Sequence, residues 1–86
     1  MLYTPELVDE LQALSRFNLA NTDEGLKAHH TASADFIAAL QRLHHKGLVT
    51  QADGGYLTDL GLEAAEHVQA ALTILTSVRA LGLPVK

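Results

Sequence analysis

No cysteine occurs among the 86 residues, which excludes a disulfide framework, a thiolate zinc site and a cysteine nucleophile together. Tryptophan is absent too and aromatics make up only 5%, so the core has to be built from leucine, alanine, valine and isoleucine. No apolar run approaches the roughly 18 residues that a membrane span requires, and no membrane partner is expected. The opening MLYTPELVDE has no basic patch followed by an apolar stretch; the sequence therefore predicts no secretory signal and a cytoplasmic location. Positive charge is also scarce. Six Lys and Arg stand against ten Asp and Glu, a formal net charge of −4, and a nucleic-acid reading has to overcome that balance. What is present is a 48% hydrophobic chain of single-domain size, with residues 1–86 read as one globular unit.

Helix punctuation divides the chain. Thr4-Pro5-Glu6 is a hydroxyl cap, a proline at the first helical position and an acid at the positive dipole end. Leu7, Leu11 and Leu14 follow at helical spacing, which predicts a first helix from residue 5 to about 16. Asn21 or Thr22, with Glu24 at capping-box distance from Asn21, predicts a short second helix over about 22–30, weakened by Gly25. His29 to Ser33 reads as a turn ending in a new cap. Phe36, Ile37, Leu40 and Leu43 then mark the inward stripe of a third helix over about 33–46, stopped by Gly47. Leu48 to Leu57, around Asp53-Gly54-Gly55, reads as a hairpin whose glycines supply positive φ. Thr58 caps a long last helix from Asp59 to about Leu81, ended by Gly82 and Pro84.

The stretches Lys46-Gly47-Leu48-Val49 and Leu57-Thr58-Asp59-Leu60-Gly61, flanking a glycine-tipped hairpin, resemble winged helix-turn-helix regulators of the MarR and PadR type. The resemblance covers residues 22 to about 66. The whole chain is also similar to a small family of uncharacterised bacterial proteins. The resemblance implies a mostly α winged helix-turn-helix fold with a small β-hairpin: helix-turn-helix at about 22–46, wing at about 48–57 and C-terminal helix at about 59–81. It implies double-stranded DNA as partner and transcriptional regulation as role. Two departures stand out. The chain is shorter than a full MarR-type subunit, and the tip Gln51-Ala52-Asp53-Gly54-Gly55 carries no cation.

In that fold the third helix enters the major groove. With its apolar stripe inward, the outward row is Ala34, Ala38, Gln41, Arg42 and His45. Arg42 suits a guanine edge, Gln41 an adenine edge, and the alanines a thymine methyl. Lys27, Thr31, Ser33 and Lys46 are the phosphate-contact candidates. Against this, residues 22–58 hold three Lys and Arg but four carboxylates, whereas DNA-binding surfaces carry a basic footprint.

The paired histidines, His29-His30 and His44-His45, point about 100° apart within a helix, so each pair offers one ligand to a shared site. No metal site is expected, and His44-His45-Lys46 reads as a cationic helix C-terminus. Ser15, Ser33 and Ser77 lie in no nucleophile-elbow context and there is no glycine-rich phosphate loop, so neither an enzyme nor a cofactor is expected. The last helix is more informative. Ala64, Val68, Ala71, Leu75 and Val78 recur at coiled-coil spacing, and apolar residues run nearly all round between Val68 and Leu75. A homodimer through Val68, Ala71, Leu72, Leu75 and Val78 is the expectation. Two functions follow: a dimeric DNA-binding regulator reading through residues 33–46, or a winged-helix protein-interaction module that binds no duplex.

Overall fold

The computed structural model describes residues 2–21, 23–29 and 31–80, the last three by backbone alone. Among these residues the order is α1 (Pro5–Leu14), β1 (Leu26–Lys27), α2 (Ala34–His45), β2 (Val49–Gln51), β3 (Gly54–Leu57) and α3 (Asp59–Ala80). The fold is mostly helical, with a small hairpin and a long C-terminal helix, as the sequence implies. The strands make one antiparallel sheet in the order β1-β3-β2, an order compatible with a winged helix.

The caps at Thr4 and Ser33 act as read from the sequence. Thr4 Oγ1 accepts from Leu7 N–H at 3.2 Å with Pro5 at the first turn, and Ser33 Oγ accepts from Phe36 N–H at 3.1 Å. The turn before Ser33 is closed by Ala32 N–H donating to the His29 carbonyl at 2.9 Å. Beyond α2, Gly47 sits at φ 82°, a conformation L side chains resist, and Leu48 N–H reaches back to the Leu43 carbonyl at 2.9 Å. The Gly82 and Pro84 expected to end α3 lie outside the described residues.

One expected element is different. The predicted second helix over about 22–30 is absent from the described residues 23–29, which hold a turn and β1. Asn21 closes a turn, and the β3 edge takes the strand that follows. The Asn21 side-chain oxygen accepts from Asp23 N–H at 3.2 Å and the Asn21 carbonyl accepts from Glu24 N–H at 3.1 Å, a closed Asx turn in place of a helix cap. The chain then pairs with β3, Leu26 opposite Gly55 and Lys27 opposite Gly54, and Ala28 N–H donates to the Asp53 carbonyl at 2.9 Å. A helix-turn-helix over about 22–46 is therefore replaced by strand, turn and helix.

The core lies where α1, α2, the hairpin and the first half of α3 meet: Ala13, Leu14, Phe17, Ala39, Leu40, Leu43, Val49 and Ala65. It is aliphatic apart from Phe17. The buried stripe of α1 is Glu10, Ala13 and Leu14, continued by Phe17. It is rotated from the expected Leu7-Leu11-Leu14 line, and Leu7 stays exposed.

The two halves of the Lys-Gly-Leu-Val and Leu-Thr-x-x-Gly pattern meet in one joint. Thr58 Oγ1 donates to the Gly47 carbonyl at 2.6 Å and accepts from Gly61 N–H at 3.1 Å. Thr58 N–H donates to the Leu48 carbonyl at 3.1 Å. Gly61 is buried against Leu48, where an added Cβ would strike the Leu48 backbone carbonyl.

Candidate functional site

Two surfaces stand out: the face of α2 that the sequence assigns to DNA, and a groove between α1 and α3.

On α2, Ala34, Gln41 and His45 are exposed, whereas Ala38 and Arg42 are half-buried. Ala38, Gln41, Arg42, His45 and Lys46 share a shallow recess. Arg42 is not free within it. Its Nε donates to Glu10 Oε2 at 2.9 Å and its Nη2 to the Glu6 carbonyl at 3.1 Å. Lys46 Nζ donates to the other oxygen, Glu10 Oε1. Glu10 itself is only 5% exposed. Burial pushes its carboxyl upward, but the hydrogen bonds and positive charges of Lys46 and Arg42 outweigh that and hold it below its ordinary 4.5. One buried carboxylate on α1 thus engages both cations that the sequence assigned to DNA on α2. Glu10 is the residue that reasoning from the sequence missed. Its signal was present: a lone acid in the apolar line Glu10, Ala13, Leu14, Phe17, spaced for one helix face.

The remaining phosphate candidates do not gather on α2. Lys27 is exposed on β1, Thr31 lies in the turn, and the Ser33 hydroxyl is taken up as the helix cap. A third cation, Arg16, stacks over the Phe36 ring at 4.7 Å from its centroid, which fixes its guanidinium as a cation–π partner. It lines a small polar recess with Asp9, Ser33 and Asp35. The hairpin tip exposes Gln51 and Ala52 and holds no Lys or Arg.

The α3 residues assigned to a dimer fall into two groups. Val68 is half-buried and packs on the core. Ala71, Leu72 and Leu75 are exposed, Leu75 by 71%; the Val78 side chain lies outside the described residues. Gln69 marks the divide. Its Nε2 donates to the carbonyls of Leu14 at 3.2 Å and Phe17 at 2.8 Å, clamping α3 to the end of α1. Past that clamp, Leu72, Ile74 and Leu75 are exposed and lie beyond the core cluster. Tyr3, Val8 and Leu11 of the N-terminal segment form the opposite wall of a groove of about 510 Å³. The helical spacing of Leu7, Leu11 and Leu14 already offers Leu11 as a seat for the last helix, but Tyr3 and Val8 were not foreseen, because it takes the crossing of α1 and α3 to bring them to the groove.

Among the described residues no group of three or more His, Cys, Asp or Glu converges on a metal-sized site. No helix of the described residues is long and apolar enough to cross a membrane. A protein-family model described as a family of unknown function (DUF5669) matches residues 1–76. No curated protein and no solved structure matches the chain.

Proposed function

The chain belongs to the family of unknown function DUF5669, and from that premise we propose that it is a protein-interaction module on a winged-helix-like frame, working as a homodimer through α3. The observation that carries this reading is the distal half of α3. Leu72, Ile74 and Leu75 are 49%, 63% and 71% exposed, a concentration of large apolar side chains that a lone small domain has no reason to leave in water. The charge balance supports it. Arg42 and Lys46 are tied to Glu10, the hairpin tip is free of cations, and the chain carries a net −4. Such a surface lacks the electrostatic term from which duplex binding draws most of its affinity.

DNA reading is the second proposal, favoured by one specific feature: the β1-β3-β2 order, which agrees with a winged helix, together with exposed Ala34, Gln41 and His45 on one row of α2. Two measurements decide between them. In sedimentation at tens of micromolar the wild type should run at twice the monomer mass. In gel retardation, random duplex should stay unshifted even at about 50 mM salt, where non-specific contacts are strongest. A monomer mass rejects the dimer, and retardation that falls with Arg42→Ala returns the α2 face to DNA.

A further inference from the structure

We infer that the groove between α1 and α3 is the seat of α3 from a second copy, the two copies related by a twofold axis; this rests on the interaction-module reading and names its contact surface.

The first ground is continuity. The α3 face that turns Gly61, Ala65 and Val68 inward continues at helical spacing through Leu72 and Leu75. A 22-residue helix is about 33 Å long, and within this chain the core covers only its first half. The second ground is charge. From Val68 to Ser77, α3 carries no Asp, Glu, Lys or Arg, so two such segments lie together without opposing like charges or stripping water from an ion. Shape is the third. The groove is lined by the small Ala71 as well as by Val8 and Tyr3, and the same surface carries the large, exposed Leu72 and Leu75. A patch holding both is self-complementary, as a twofold interface requires.

Size agrees with a dimer of modest affinity. Tyr3, Val8, Leu72 and Leu75, which line the groove, are 60%, 36%, 49% and 71% exposed. Together they present on the order of 400 Å² per copy, so a pair would bury up to about 800 Å² from these side chains, the low end for a specific interface.

The test uses the full chain in sedimentation equilibrium, comparing wild type with Val8→Glu, Leu75→Asp and Leu60→Glu, each at an exposed position and each checked for helical content. The wild type should dimerise at tens of micromolar. Val8→Glu and Leu75→Asp should each weaken the dimer at least tenfold. Leu60→Glu, on exposed apolar surface not lining the groove, should leave it unchanged. A dimer broken by Leu75→Asp but indifferent to Val8→Glu keeps α3 as the seam and overturns the groove as its seat. A wild type of monomer mass overturns both this inference and the reading beneath it.

Discussion

Glu10 shows how one side chain can redirect the reading of a surface. Its carboxylate is almost fully buried, yet neither oxygen is left without a donor, because Arg42 and Lys46 reach it from the next helix. Both cations stay partly exposed, with side chains 34% and 48% accessible, and water screens them. Glu10→Gln keeps the shape and removes the charge, so it should cost about 1–2 kcal/mol at neutral pH. The sign of the pH dependence follows from the depressed carboxyl. The stabilisation is fully present above the unfolded-chain value near 4.5 and drains away as pH falls through the lower folded value. Denaturant titrations from pH 7 to pH 3 should therefore show wild type losing stability faster than Glu10→Gln below about 4.5, the two curves converging in acid. Parallel curves would remove Glu10 from the stability of the fold. From the sequence, the outward row of α2 was legible for Ala34, Gln41 and His45. It failed for Arg42, because helical periodicity locates a side chain on its own helix and says nothing of a counter-charge on another.

At the level of elements, the pattern that carries the winged-helix resemblance is a joint. Gly47 and Leu48 end α2, Thr58 starts α3, and hydrogen bonds from Thr58 hold the two ends together over the root of the hairpin. Gly61 makes the close approach possible. An alanine there gains roughly 1 kcal/mol of helix propensity but drives a methyl into the Leu48 carbonyl, and overpacking of this kind against backbone outweighs the gain. Gly61→Ala should lower stability by about 1–3 kcal/mol net, read as a fall in Tm of several degrees. An unchanged or raised Tm would mean that the joint is slack. Caps, helix ends and the hairpin were readable because each is local chemistry within four or five residues. The stretch around Gly25 was misread for the opposite reason: its Asn21-Glu24 spacing fits a capping box, and what decides for a strand is the distant β3 edge, which no local pattern announces.

For the whole molecule, the decisive quantity is the ratio of core to length. The folded body measures 41 × 30 × 24 Å, and α3, at about 33 Å, runs longer than the core it serves. Aliphatic composition and the coiled-coil spacing of α3 pointed to unmatched apolar surface from the sequence alone. The matching wall at Tyr3 and Val8 did not, since it arises only when α1 and α3 cross. The Gln69 clamp has one more consequence. It ties the Leu14 carbonyl at the end of α1 and the Phe17 carbonyl just beyond it to the middle of α3, so α1 and the first half of α3 open together, while the turns beyond Gln69 can open alone. In dilute solution, amide hydrogens before Gln69 should exchange at the rate of global unfolding and those from Leu72 to Ser77 far faster, a step that flattens as concentration rises; even protection along α3 in dilute monomer would refute the division. On the dimer proposed above, a newly made copy would be a folded body with an exposed helical stretch from Leu72 to Ser77, and pairing would shield that stretch from proteolytic trimming.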